Sequence, residues 1–466
     1  MNRLVLAFFL SLYVCGTAFA FNHQNPKWEA PQQQMRKYNK PYRPLHVPPQ
    51  ELPTKAHVGR HTSAASAPRV LASLAGLAAV ALLAEWVAWL TGLSSTLFLF
   101  GAGLLVGPAL GWFQPDLLFG NLLVPTVALG VAVLMFRTAL NLQLRGVRLP
   151  GPFLSPTLIA VVALGAVAAA LLLRVSAITA LPLGAILAMI APPIVIPLLQ
   201  QIDTRESRSD YEAPALEVAG CFLAALIFAA ALAGGGRAAA LPALRGMGST
   251  LLAGGVGGWL AARLVAQAGN SHLIPRRFQA PMACAVCIIS FTIANLIAEG
   301  SGFLASVVMG MSLARNERFD ASALKPTLAA IHLFVAPLLL LLLAARLHGA
   351  DLIAAGVPAL AFAAVIVAVV RPAGAFLATA RLALSWRDRG WLTVMTPPGV
   401  TAAGLATLFG LRLWEVGYAE ASIMPAAVLL VLAVAHSCGA VAGLLARESE
   451  RPAVAPAASP SGNSTI

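Results

Sequence analysis

AILAMIAPPIVIPLL, at residues 185–199, and LTVMTPPGVTAAGL, at residues 392–405, are apolar segments interrupted by proline at their centres. A proline lacks the amide hydrogen and its ring clashes with the preceding helical turn. Pro192, Pro193 and Pro197 in the first segment, and Pro397, Pro398 and Gly399 in the second, should therefore each unwind a helix. Backbone carbonyls freed at membrane depth are tolerated only where protein buries them or a polar cavity receives them. The two Pro-Pro pairs lie 205 positions apart, in the fifth and twelfth of the chain's apolar blocks. Seven crossings separate them, and an odd number reverses orientation. Broken helices at matched places in two oppositely oriented halves point to an inverted-repeat transporter with its site between the breaks.

The rest of the chain supports a membrane setting. Hydrophobic residues make up 59% of the 466 and charged residues 11%, against about 25% charged in soluble domains. The apolar residues come in blocks of about 20, the length that spans roughly 30 Å of hydrocarbon, and strand-type alternation is absent. The fold class expected is an all-α polytopic membrane protein of about 13 transmembrane helices. The spans fall at 70–92, 94–112, 118–137, 153–173, 177–200, 214–233, 248–268, 279–298, a short 301–314, 325–345, 352–378, 391–410 and 423–446. The formal charge of +13 does not indicate nucleic acid. Eight basic residues lie between Lys27 and Arg69 and most others flank apolar blocks, which is how charge sets topology.

Four regions follow. Residues 1–20 read as a signal peptide, with Arg3, an apolar core and Ala18-Phe19-Ala20 as the cleavage pattern. Residues 21–68 form a basic, Pro-rich disordered tail, 70–446 the transmembrane domain, and 447–466 a second disordered tail. If residue 70 enters from outside, the inner loops hold fourteen basic residues, among them Arg145, Arg205, Arg276 and Arg387. The outer loops hold five: Arg174, Arg237, Arg245, Arg346 and Arg412. That asymmetry predicts a cell membrane protein with its N-terminus outside and its C-terminus in the cytoplasm. The five cysteines all sit in apolar stretches and read as core residues rather than a disulfide framework or zinc site. Gly254, Gly255, Gly257 and Gly258 in the seventh span read as close-packing glycines rather than a phosphate loop. No metal or cofactor motif is expected.

Several blocks resemble the monovalent cation/proton antiporters of the prokaryotic sodium/proton exchanger type. They are LLAEWVAWL with GAGLLVGPALG, LGVAVLMFRTALNLQLRGVR, IAPPIVIPLLQQIDTRE, EGSGFLASVVMGMSLA, RPAGAFLATARLALSWRDR and TPPGVTAAGLATLFGLRL, in that order over most of 70–446. The resemblance implies an inverted-repeat fold with crossed, unwound helices, and exchange of sodium or potassium for protons by alternating access. It also implies a homodimer, with no partner beyond ions and membrane lipid. Members of the family carry a cation-binding acid on the sixth span, five positions after a glutamate. Glu217 matches that glutamate, but the later pair is Cys221-Phe222. An arginine usual before Gly399 is replaced by Pro398, a third-span Phe-Glu-Gly by Phe136-Arg137-Thr138, and a fifth-span Thr-Gly-Pro by Ala191-Pro192-Pro193.

The residues expected along the ion path are Glu217, Cys221 and Phe222 on the sixth span, Ala191, Pro192 and Pro193 on the fifth, and Thr396, Pro397, Pro398 and Thr401 on the twelfth. A carboxylate in a low-dielectric chamber binds either a cation or a proton, since both neutralise the same charge. Phe222 can do neither. Glu217 has a second reading as a solvated glutamate at the membrane interface, and His332 and His436 read as packed core histidines. Two other functions compete with antiport. A non-transporting homologue, acting as a sensor or assembly partner, would explain the substitutions at 222 and 398. An intramembrane enzyme would use Ser301 in Gly300-Ser301-Gly302, but no orienting acid is placed beside it.

Overall fold

A computed structural model describes residues 67–142, 156–189, 209–234, 240–270, 275–316, 319–347, 349–379, 386 and 398–449. These residues form thirteen principal helices, each at an expected span. They run as α1 (Ala67–Thr91), α2 (Ser95–Leu104, extended by a π-turn Leu105–Ala109), α3 (Leu123–Asn141), α4 (Pro156–Ala168, with a π-turn Ala169–Leu173) and α5 (Ala177–Leu187). The series continues as α6 (Ser209–Gly234), α7 (Ala240–Asn270), α8 (Arg276–Ile297), α9 (Ser301–Ala314) and α10 (Lys325–Arg346). It ends with α11 (Gly349–Val365, continuing through Arg371–Thr379), α12 (Val400–Glu415) and α13 (Met424–Ser449). Eight stretches are long and apolar enough to cross a membrane unaided, and α2, α4, α5 and α9 are shorter apolar helices. The expected shortness of the ninth span is met by the 14 residues of α9.

The segment read as a signal peptide, Cys15 and most of both expected tails lie outside the described residues, but residues 67–68 open α1 and residues 447–449 close α13, so helix reaches slightly into both tails. The four described cysteines are free thiols. Lipid-facing side chains such as Leu82, Trp86, Trp89 and Leu264 are left exposed on the bundle, which suits a protein solvated by hydrocarbon.

Inside, Val131, Met135, Phe136, Leu183, Ile186, Met189 and Leu304 are fully buried. Small residues set the closest approaches. A Cβ at Gly258 would lie 2.3 Å from the Ala305 carbonyl and one at Gly254 2.7 Å from that of Ser301, so α7 meets α9 backbone to backbone. Gly255 faces open space and Gly257 makes ordinary contact. Only two of the four glycines expected to pack closely do so, because neighbouring helix positions point about 100° apart.

Four loops are tied to one another or to a helix end. Arg346 meets Asp116 at 2.9 Å, Arg412 pairs with Glu299, and Ser176 donates to Glu420 at 2.6 Å. Counting crossings places all of these residues at one face of the bundle.

Candidate functional site

The two interrupted spans end where the sequence places the breaks. α5 stops at Leu187 and its chain turns at Ala188, two residues before the stretch containing Ala191, Pro192 and Pro193. On the other side α12 begins only at Val400, with Gly399 extended (φ −88°, ψ 174°) as its N-cap. Ala191, Pro192, Pro193, Thr396 and Pro397 themselves lie outside the described residues. Pro398 is described and buried.

The end of α5 and the start of α12 both meet α6 around Glu217 and Gly220, some two to three turns into that helix. A Cβ at Gly220 would lie 2.7 Å from Met189, so the end of α5 rests on α6 less than one turn from Glu217. From the other side Thr401, in the first turn of α12, donates its hydroxyl to Glu217 Oε1 at 2.7 Å. Glu217 is 3% exposed; it is not a solvated interfacial glutamate. The early amides of α12 have no partner within their own helix, so this end carries partial positive charge next to the carboxylate. A third helix closes the site. α3 turns the Thr138 hydroxyl toward the same carboxylate and brings the half-buried Arg137 guanidinium within electrostatic reach. Glu217 Oε2 is buried and has no hydrogen-bond partner among the described residues.

Cys221 lies one turn beyond Glu217, fully buried and close enough to feel its charge. Phe222 is half-buried on the neighbouring face of α6 and supplies no ligand atom. Above the site, toward the tied face, Phe228 of α6 stacks on Phe409 of α12 with ring centroids 3.9 Å apart. Phe303 of α9 meets Phe409 edge-on at 5.9 Å. This aromatic layer joins α6, α9 and α12 between the carboxylate and the tied loops.

The structure thus brings Glu217, Cys221 and Thr401 together. It adds Thr138 and Arg137, which sequence reasoning met only as departures from a motif. Their signal was a polar pair at the end of an otherwise apolar span. Ser301 donates to the Ala294 carbonyl at 2.6 Å and no histidine is bonded to it, so the arrangement of a nucleophile and base is missing there. Among the described residues no group of three His, Cys, Asp or Glu could hold a metal ion.

Comparison with known proteins adds an independent line. The model of the sodium/hydrogen exchanger transmembrane family matches residues 77–447. The sodium proton antiporter MjNhaP1 from Methanocaldococcus jannaschii, solved at pH 8, superposes with a TM-score of 0.61 at 17% identity, covering 82% of this chain and 97% of that one. Its electron-microscopy structure gives 0.60 at 16% identity, with 82% and 96% covered. At these identities the likeness establishes the fold. No curated protein sequence matches the chain.

Proposed function

Because the chain belongs to the sodium/hydrogen exchanger family, and is thus a secondary cation/proton antiporter in the membrane rather than a bystander of that fold, we propose that its exchange runs through Glu217. The observation that carries this reading is a buried carboxylate with Thr401 and Thr138 turned toward it and with Oε2 left without a hydrogen-bond partner among the described residues. A buried charge must be neutralised, and Oε2 can be neutralised by a proton or by a monovalent cation, but not by both. Competition for one oxygen couples the two fluxes. Arg137 supplies the third state: with neither cargo bound, its guanidinium is a compensating charge within electrostatic reach.

Apart from Asp210 and Glu212 at the start of α6 and Glu415 at the end of α12, Glu217 is the one acid that the sequence holds in the interrupted spans and α6. One titratable carboxyl exchanges one proton for one sodium or potassium ion, and the cycle is electroneutral. The loop charges support an N-terminus outside and a C-terminus in the cytoplasm of the cell membrane, and the family resemblance supports a homodimer. Ala191, Pro192, Pro193, Thr396 and Pro397, expected from the sequence along the ion path, lie outside the described residues.

Reconstitution tests it. Liposomes with an internal pH dye and an imposed sodium or potassium gradient should show cation-driven proton flux. Glu217→Gln, which keeps the shape but cannot ionise, should abolish it. Unchanged flux in that variant, in a folded preparation, would falsify the assignment of Glu217.

A further inference from the structure

Three residues upstream of Thr401, the unwound chain makes a second contact that the exchange chemistry leaves unexplained. In a continuous helix the amide of Ala402 would bond the Pro398 carbonyl. Here it bonds Gly399 instead, at 3.1 Å. The Pro398 carbonyl is therefore released from α12, inside the bundle, where an unsatisfied acceptor is costly. His436, on α13 and 5% exposed, takes it up: the imidazole hydrogen-bonds the backbone of Pro398. Proline has no amide hydrogen, so the ring must be the donor and the carbonyl the acceptor.

The ring's other partner fixes the tautomer. Nδ1 of His436 lies 2.8 Å from the Ser94 hydroxyl, the N-cap residue of α2. A neutral ring with its proton on Nε2 donates to Pro398 and accepts at Nδ1 from Ser94, so both nitrogens are satisfied. Arg371 of α11 also lies within electrostatic reach of the ring. The imidazole thus ties the start of α12 to α2 across 342 positions of sequence.

We propose that His436 is a positioning residue for exchange, holding the Pro398 carbonyl so that α12 starts where Thr401 meets Glu217. This rests on the reading that Glu217 is the exchange site. His436 touches no cargo; it acts through Thr401.

A pair of substitutions separates the two ring nitrogens. The amide of His436→Gln reaches about as far as Nε2 and keeps a donor for Pro398. The shorter amide of His436→Asn reaches only as far as Nδ1, keeping Ser94 and losing Pro398. Reconstituted exchange should show His436→Gln within about twofold of wild type. His436→Asn should raise the half-saturating cation concentration about tenfold, as expected for one lost hydrogen bond to a charged group, with maximal rate changed less. Thr401→Val should do the same. Because both variants break one chain of contacts, the double variant should remain near tenfold rather than approach a hundredfold.

An additive double variant, or Asn and Gln behaving alike, overturns the positioning role. If His436→Asn does not fold, the comparison of His436→Gln with Ser94→Ala still decides. Both remove only the Ser94 bond and should leave affinity within about twofold, so a tenfold loss in either sinks the proposal. Glu217→Gln run in parallel keeps the two claims apart. Retained flux there removes the exchange site itself, whereas lost flux with additive His436 and Thr401 effects removes only the positioning residue.

Discussion

The two ends of α12 carry opposite solutions to the same problem. At its start, Glu217 is buried, one oxygen is bonded to Thr401 and the other has no partner among the described residues. At its finish, Arg412 pairs with both Glu299 and Glu415, yet its side chain is 43% exposed. Water and salt already solvate the charges of the exposed end, so their pairing adds little. The carboxylate at the other end is buried, where an incompletely paired charge is costly. At one end of α12 well-paired charges hold a loop; at the other, the incompletely paired Glu217 of α6 is the group proposed to carry the exchange.

Substitutions can break this contrast. The largest effect belongs to Glu217→Gln, which should reduce exchange to background in the liposome assay while leaving melting temperature near that of wild type. Midway along the helix, Phe409→Ala empties a position that is 1% exposed and stacked on Phe228. It should cost about 3 kcal/mol or more of stability, read as a lowered midpoint in detergent unfolding, and wild-type stability there would mean that the aromatic layer is not packed as described. Thr401→Ser, which keeps the hydroxyl, should leave cation affinity near normal, and a loss as large as that of Thr401→Val would show that the methyl matters and the hydrogen bond does not. Arg412→Gln should change stability by less than about 1 kcal/mol and exchange by less than twofold. A tenfold loss of exchange in Arg412→Gln would erase the distinction between the ends.

Much of this was legible beforehand, and the reasons are physical. Apolar blocks of bilayer length and proline pairs are local signals, so the thirteen spans could be placed, including the short α9, and the described ends of α5 and α12 fall beside the proline pairs. Glu217 stood out because an acid in an apolar span is expensive. Its burial was not legible: three residues from Pro214 the sequence fits an interfacial glutamate equally well, and only the lean of α3, α5 and α12 over that turn decides. Thr138 escaped notice because its meaning depends on which face of α3 meets α6. The bond from His436 to Ser94 joins α13 to α2, and no periodicity in either helix reports it. Local chemistry could be read from the letters, whereas pairings between helices depended on three-dimensional assembly.

The distance from Thr401 to Arg412 has an electrical meaning. Eleven residues of helix are about 16 Å, roughly half of a 30 Å hydrocarbon slab, so an ion reaching Glu217 from that face crosses about half the transmembrane field. With roughly 2.3 kcal/mol per charge for 100 mV, its apparent affinity should shift about sevenfold when the membrane is clamped 100 mV away from zero at a pH where the site is deprotonated, even though the proposed one-for-one turnover moves no net charge. Clamping vesicles with valinomycin and graded potassium, with sodium as the exchanged ion, would read this dependence directly, and affinity indifferent to voltage would place the carboxylate much nearer one surface.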